Sequence, residues 1–431
     1  MTYEEALAKI HSLLTFGSRP GLDRMRILLE RLGNPQDKLN YIHVAGTNGK
    51  GSVCAMLSSV LVSAGYKTGL FISPYITDFR ERIQINNSMV SREMLASAVE
   101  KTFPIIEQLS AEGTVITEFE YVNALQFYIH SNENCDIVVL ETGMGGLLDC
   151  TNTIKQPLCS VITTIGLDHT AVLGSTIEEI AVQKCGILKE NSMAVTSCQE
   201  PAVMQIIEQT ARRLKIPLAQ SAGVEINNIE ISLKGSRFTF NNTELTLPLA
   251  GEHQIENAKT ALAALDILRL NGYIEVSDFQ IQQGFANTVN PARLELLCED
   301  PIVLLDGAHN PNGIEALKKS IKKFIGDKYI IGIMGMLADK DVDTSIKLLE
   351  GVFNCVYTVP VKNPRAMSPS SLMQKCAKYI DEVVVFESAE HAFDVALKKA
   401  QRSGCAIVIC GSLYLAGEIR PIIVEKTAKF I

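Results

Sequence analysis

Short, nearly continuous apolar runs alternate along the chain with longer stretches whose apolar residues recur every three or four positions. A continuous run reads as a central parallel strand covered on both faces, and the longer period as a helix packed against it. The alternation predicts an α/β fold. YIHVAG (41–46), a Gly-rich turn and SVCAMLSSVLVSAG (52–65) make the first unit, with Gly65 ending the helix. GLFISP (69–74) gives another strand, and DIVVLE (136–141) and LCSVITTIG (158–166) give central ones. Between 221 and 250 the texture changes. There VEINNIEISLKGSRFTFNNTELTLPL alternates apolar and polar positions between Asn and Gly turns, which predicts a small antiparallel β appendage. HQIENAKTALAALDILRLNG restores the helical period, and ANTVNPARLELLCEDP, with two prolines, breaks it. IVLLD (302–306), YIIGIMG (329–335), CVYTVP (355–360), VVVF (383–386) and AIVIC (406–410) then follow, separated by helical stretches. They predict a second, smaller doubly wound unit, and hence two domains, 1–293 and 294–431.

Composition narrows the picture. The 431 residues are 47% hydrophobic and 20% charged, enough apolar material for large cores and no case for disorder. Asp and Glu total 48 against 40 Lys and Arg. The net charge of -8 argues against nucleic acid or an anionic membrane as partner, but leaves room for a local cationic pocket and a small anionic substrate. Eleven scattered cysteines without a CxxC pair read as reduced, mostly buried thiols. The acidic start MTYEEALAKIHSLL is unlike a signal peptide, and no apolar run approaches membrane-spanning length. A cytoplasmic protein is expected.

Candidate chemistry concentrates where predicted strands end. GTNGKGS comprises Gly46, Thr47, Asn48, Gly49, Lys50, Gly51 and Ser52 and lies between a strand and a helix. Its backbone N–H groups can wrap phosphate oxygens at a helix N-terminus, Lys50 adds a full positive charge, and Ser52 can approach magnesium. Gly51 is an insertion relative to the common GxxxxGK[ST] spacing. Glu141 ends the DIVVLE run ahead of TGMGG, and His169 follows another strand in GLDHT. In STIEEIAVQKCGIL, Ser175 and Glu178 form a potential capping box, and Lys184 falls on the face of Ile177, Ile180, Ala181 and Leu188. A lysine on an apolar stripe either snorkels outward or is held by a specific partner or modification. DGAHNPNG presents Asp306 and His309 after a strand, and VKNPRAM offers Lys362 and Arg365 to solvent or to an anion.

Taken in order, these segments resemble the Mur ligase superfamily, and most closely its folylpolyglutamate synthase and dihydrofolate synthase family. The resemblance runs through PGLDRM (20–25), HVAGTNGKGSV, SPYITDFRERIQIN (73–86), TEFEYVNALQF (117–127), LETGMGGLLDCTN (140–152), ITTIGLDHTAVLGSTIEEIAVQKCGILK (162–189), GEHQIENAKTAL (251–262), LLDGAHNPNG, the MLADKD turn and GSLYLAGEIR (411–420). It implies a large N-terminal P-loop ATPase-like domain and a smaller Rossmann-like C-terminal domain with the substrates between them. It further implies that Gly46 to Ser52, Asn257, Arg293 and Asp306 bind ATP, and that Ser73, Glu141, His169 and Lys184 hold magnesium, Lys184 as a carbamate. His309 resembles a residue near the transferred phosphate or the incoming amine. Gly21, Leu22, Thr117, Glu118, Phe119, Glu120, Leu148, Asp149 and Cys150 match the folate side, and Ser412 and Tyr414 the glutamate side.

The implied reaction is ATP-dependent addition of L-glutamate to a reduced folate through an acyl phosphate. Lys50, Lys184 and His309 are the expected catalytic residues, and the family's usual state is a monomer. Where many members carry GGRLDATN, this chain has GGLLDCTN, with Leu147 for arginine and Cys150 for alanine. That change leaves open whether dihydropteroate is also converted to dihydrofolate. Two other readings remain at this point: a muramyl-peptide-type ligase of the same superfamily, and a regulatory NTPase that does not ligate.

Overall fold

The computed structural model describes residues 1–16 and 21–428. Pro20 of PGLDRM and the last three residues of the expected second domain lie outside them. The first sheet contains β1 (Asn40–Ala45), β2 (Thr68–Phe71), β3 (Ile83–Ile85), β4 (Ser88–Met89), β5 (Ile137–Glu141), β6 (Cys159–Ile162), β7 (Met193–Thr196) and β8 (Leu218–Gln220). Their order is β4-β3-β2-β5-β1-β6-β7-β8, parallel from β2 to β8 with β3 and β4 antiparallel at one edge. Val44 on β1 sits opposite Glu141 on β5 and Val161 on β6. The C-terminal ends of these three strands are therefore level, and the loops that follow them emerge at one crevice.

Packing explains why the central strands are continuously apolar. Val53, Met56, Leu57 and Val60 of helix Lys50–Ser63 meet Ala258, Ala261 and Leu265 of helix Glu252–Leu270 in one core. Tyr121, Leu125 and Phe127 of helix Glu118–Asn132 fill another core with Phe71, Val138 and Leu140. The expected appendage is present as β9 (Asn227–Ser232), β10 (Gly235–Phe240) and β11 (Thr243–Leu247) in antiparallel order β11-β10-β9. Phe238, Phe240, Leu245 and Leu247 anchor it to the first of those cores.

The second large sheet holds β12 (Glu295–Glu299), β13 (Ile302–Leu305), β14 (Ile330–Met334), β15 (Cys355–Thr358), β16 (Glu382–Val385) and β17 (Ala406–Cys410), in the order β12-β13-β17-β14-β15-β16. Five parallel strands match the five apolar runs. β12 does not, because it lies inside the stretch that the two prolines marked as a break. It is an antiparallel edge strand, only partly buried, with its register shifted between Leu296 and Cys298. Such a strand lacks a clean apolar period.

The backbone linking the two sheets is unusual. Ala292 (φ 56°) and Leu294 (φ 48°) are left-handed without being glycine, a conformation that costs on the order of 1 kcal/mol each or more. Hydrogen bonds hold them there. Glu295 Oε2 accepts Ala292 N–H at 2.9 Å, and Asp306 Oδ2 accepts Leu294 N–H at 2.7 Å. Arg420 grips Glu295 through Nε at 2.9 Å and Nη2 at 2.6 Å.

All eleven cysteines are free and most are buried; Cys198 is exposed. Among the described residues no helix is long and apolar enough to cross a membrane.

Candidate active site

The GTNGKGS loop leaves β1 and enters helix Lys50–Ser63 with Gly49 at the N-cap, φ 89°. Glycine is required twice. A Cβ on Gly46 would overlap the Thr163 hydroxyl, and one on Gly49, already in a left-handed conformation, would overlap Asn257 Oδ1. The second contact brings Asn257, buried on its own helix, directly to the loop. Thr47 and Asn48 donate their N–H groups to Thr164 O at 2.9 and 3.2 Å. Thr47 Oγ1 also donates to Gly166 O at 2.9 Å, tying the loop to the chain that leaves β6.

Two lysines converge on one carbonyl. Lys50 Nζ donates to Gly46 O at 3.1 Å and Lys184 Nζ to the same oxygen at 2.7 Å. Lys184 does not snorkel: it is 4% exposed. Burial, reinforced by the nearby Lys50 charge, brings its pKa down to about 7. The capping box of its helix, Ile177–Cys185, is Thr176 with Glu179, one residue beyond the Ser175–Glu178 pair expected. Leu188 is buried but lies after the helix end, so it does not extend the helical stripe.

Glu141, the last residue of β5, is buried and accepts the Ser73 N–H at 3.0 Å. Burial pushes its carboxyl upward, against the pull of Lys50 and Arg293. Ser52, one turn into the loop helix, accepts Asn290 Nδ2 at 3.1 Å. Glu141 and the adjacent Ser73 offer hard oxygen ligands of the kind magnesium takes. Among the described residues no three His, Cys, Asp or Glu side chains converge as a preformed metal centre. A second cation near His169 would therefore need an oxygen that unmodified Lys184 does not supply.

His169 and His309 approach each other through a residue to which the sequence reading gave no role. Asp168 Oδ1 accepts Lys340 Nζ at 2.7 Å and the His169 N–H at 2.8 Å. Asn310 Nδ2 bridges Asp168 Oδ2 and Asn48 Oδ1, both at 3.2 Å. Nε2 of His169 and of His309 each lies 3.9 Å from Asp168 Oδ2. Burial opposes ionisation of Asp168, yet Lys340 and the flanking histidines hold its carboxyl well below the usual range. Burial lowers both histidines to about 4, so both are neutral at pH 7. His309 Nδ1 lies 2.8 Å from Gly307 O; a carbonyl only accepts, so Nδ1 carries the proton and Nε2 has a free lone pair.

Asp306 is buried with both oxygens engaged, Oδ2 on Leu294 N–H and Oδ1 on Ala308 N–H at 2.7 Å. Its carboxylate fixes the linker. Arg293 makes no ion pair among the described residues, although its charge reaches Glu141, Asp306 and His309. Lys362 and Arg365 pair at the surface with Glu418 (2.9 Å) and Asp339 (2.7 Å).

On the expected folate side, Thr117 and Glu120 form a capping box, and Arg24 reaches Glu120 Oε1 at 2.8 Å. Glu118 Oε1 lies 3.4 Å from His11 Nδ1. Phe119 closes over Gly143, where a Cβ would strike its ring and come within 3.2 Å of Asp149 Oδ2. Asp149 is buried and accepts Met144 N–H at 2.8 Å and Thr151 N–H at 3.0 Å. Cys150 is partly buried, its thiol pushed up by burial. Leu147 and Leu148 are 42% and 47% exposed, so the leucine replacing arginine faces solvent. A Cβ on Gly21 (φ 137°) would meet no described atom within 4 Å, and Leu22 is the N-cap of helix Asp23–Arg31.

Ser412 caps helix Leu413–Thr427 by accepting Tyr414 N–H at 3.1 Å, and Tyr414 is 39% exposed. Arg82, in the SPYITDFRERIQIN run, is half-buried against the Tyr75 and Phe79 rings at 5.3 and 5.5 Å. Burial works against its charge, while Glu118, Tyr75 and Tyr414 favour it, so Arg82 lies between residues expected on the folate side and one expected on the glutamate side.

Residues 44–265 match the Mur ligase middle domain, and residues 292–413 match the glutamate ligase domain of the Mur ligases. A phosphate loop facing a second α/β unit across a cleft, in that order, defines an ATP-dependent ligase of the Mur type. The chain is 37% identical over 428 residues to dihydrofolate synthase/folylpolyglutamate synthase of Bacillus subtilis (strain 168), covering 97% of this chain and 98% of that protein. It is 34% identical to folylpolyglutamate synthase of Lacticaseibacillus casei with the same coverage. The solved folylpolyglutamate synthase of Mycobacterium tuberculosis, complexed with ADP and AMPPCP, superposes with a TM-score of 0.89 at 31% identity, over 98% of this chain and 99% of that one. The chain belongs to the folylpolyglutamate synthase/dihydrofolate synthase family of Mur ligases.

Proposed function

We propose that this chain transfers the γ-phosphoryl group of ATP to the terminal carboxylate of a reduced folate, then joins the activated carboxylate to L-glutamate. The observation that carries this reading is the convergence of Lys50 and Lys184 on the Gly46 carbonyl, beside Glu141. It puts positive charge and a metal-type carboxylate at the base of a phosphate loop.

A carboxylate resists attack by an amine until its oxygen becomes a leaving group, which phosphorylation provides. The loop N–H groups and Lys50 hold the phosphates, Asn257 abuts Gly49, and Arg293 offers a guanidinium without a carboxylate partner among the described residues. Asp306 positions Arg293 by fixing the linker. Neutral His309, with Nε2 free, can take a proton from the incoming ammonium. The closed cleft keeps water from the acyl phosphate.

Ser73 and Glu141 would hold one magnesium ion, and His169 with a Lys184 carbamate a second, supplying neutralisation of the β- and γ-phosphates. A lysine lowered to about 7 is substantially unprotonated at neutral pH, the form that adds carbon dioxide. We read the working unit as a cytoplasmic monomer acting on ATP, L-glutamate and a folate; one chain supplies both sides of the cleft, joined where Lys340 meets Asp168. The two working domains divide at 293/294, within the strained linker.

A second activity, on dihydropteroate, is favoured by the double name of the Bacillus subtilis relative. Purified protein is assayed with ATP, magnesium, L-glutamate and either tetrahydrofolate or dihydropteroate. Glutamate-dependent ADP release with a product heavier by one glutamyl unit is expected. Release that ignores glutamate and yields no such product would reject ligation.

A further inference from the structure

The segment GSLYLAGEIR carries a glycine that no turn or left-handed backbone explains. Gly417 is buried inside helix Leu413–Thr427, a place where glycine is disfavoured relative to alanine. Its reason lies across the cleft. A Cβ on Gly417 would overlap the carbonyl oxygen of Ile76 and come within 2.8 Å of the carbonyl carbon. Ile76 belongs to the first domain, three residues after Ser73 in the SPYITDFRERIQIN run. Its side chain packs on the core that Leu415 and Ile419 of the helix share with the second sheet. The missing side chain thus lets the backbone of one domain rest directly on a helix of the other.

Both partners of this contact are held. Glu81 accepts the Ile76 N–H at 2.6 Å and the N–H groups of Thr77 and Asp78 at 2.9 Å, so the turn at 76–78 is gripped from below. At the start of the same segment Ser73 N–H is bound to Glu141. On the helix, Arg420 lies three residues beyond Gly417 and is clamped to Glu295 of the linker. Another glycine meets the opposite domain near the phosphate loop, where a Cβ on Gly166 would overlap Asn312 Nδ2. There the obstacle is the end of a side chain, which can swing aside. At Gly417 it is backbone, so the Ile76 contact is the harder stop. Ser73 and Glu141 stand on one side of it, and Ser412 and Tyr414, at the start of the helix, on the other.

We propose that Gly417 is a positioning residue for ligation: the Ile76 carbonyl seats on it, and this stop sets the spacing between Ser73 and Glu141 on the phosphate side and Ser412 and Tyr414 on the glutamate side. The assignment rests on the ligase reading given above. Clearing a methyl group from the seat requires the domains to part by roughly 1 Å, a displacement at which misplaced reactants lose about 100-fold in rate.

The test is Gly417→Ala in the full chain, assayed with ATP, magnesium, L-glutamate and tetrahydrofolate. Alanine suits the helix itself, so the urea midpoint is expected to hold. The value of kcat/KM for glutamate is expected to fall by about tenfold to 100-fold. AMPPCP affinity, measured by calorimetry, is expected to change far less, because Thr164 and Gly166 hold the phosphate loop from within its own domain. Hydrogen-exchange mass spectrometry should show faster exchange in residues 73–82, a readout that does not depend on activity. Glu81→Gln, which leaves the helix intact and loosens the turn, is expected to give a smaller loss of the same kind. In the double variant the loosened turn yields to the methyl group, so the combined loss should be smaller than the product of the single losses. Unaltered glutamate kinetics in either single variant, an equal loss of AMPPCP affinity in Gly417→Ala, or multiplicative losses in the double variant would overturn the assignment. Absence of glutamate-dependent ADP release by the unsubstituted chain, with the faster exchange still produced by Gly417→Ala, would overturn the ligase reading and leave the seat standing.

Discussion

Replacing Lys340 with methionine preserves side-chain length and removes only the ammonium that crosses to Asp168. The two groups are 2.7 Å apart, with side chains 8% and 11% exposed. At an effective dielectric constant of about 20, attraction at that separation is roughly 6 kcal/mol. Desolvation of both partners offsets much of it, and breaking a buried pair on one side costs about 3–5 kcal/mol. Asp168 retains the His169 N–H at 2.8 Å and Asn310 Nδ2 at 3.2 Å, so the expected loss is at the lower end, about 3 kcal/mol. The partners are 172 residues apart on opposite sides of the cleft, so this loss falls on the closed arrangement of the two halves. Urea denaturation and steady-state kinetics should be measured for Lys340→Met, Asp168→Asn and the double variant. The double variant should be little worse than either single one, with a coupling energy of about 2 kcal/mol, and kcat should fall more than KM for ATP rises. Additivity within about 0.5 kcal/mol would refute the reasoning, because uncoupled residues behave that way.

Lys184→Ala should abolish most activity, and millimolar acetate should restore part of it by supplying the missing carboxylate; absence of rescue, with no carbamate carbon signal for the unsubstituted protein in 13C-bicarbonate at neutral pH, would leave Lys184 a plain cation. Burial lowers His43 to about 3 and His130 to about 4, from 6.5, so the unfolded chain binds more protons below pH 6.5. Stability is therefore present above pH 6.5 and lost as pH falls towards 4, by about 2 kcal/mol per histidine at pH 5; equal urea midpoints at pH 7 and pH 5 would contradict this.

The phosphate loop was legible because its chemistry is local: a strand, glycines and a lysine within a dozen residues. Lys184 was legible in part. Its place on an apolar stripe announced a buried cation, whereas its acceptor, Gly46 O, lies 138 positions away and leaves no trace in the pattern. Asp168, Lys340 and Asn310 were each inside a quoted segment, yet their meeting depends on how two sheets face each other. Arg82 was hidden for a similar reason, since a basic residue in a charged run looks solvated until aromatic rings cover it. β12 failed as a pattern because a half-buried edge strand carries no clean period, and the flanking prolines pointed the other way.

The linker at Ala292 and Leu294 bears on how this enzyme can be cut and recombined. Its strained conformation is imposed entirely from downstream, by Glu295, Asp306 and Arg420. A chimera that exchanges the C-terminal half should therefore be spliced before Ala292, so that the bent segment travels with the side chains that bend it. A junction placed one strand later would separate these two residues from Asp306 and Arg420, leaving Glu295 alone to maintain a costly geometry, and the transplanted half would lose its aim at the phosphate loop.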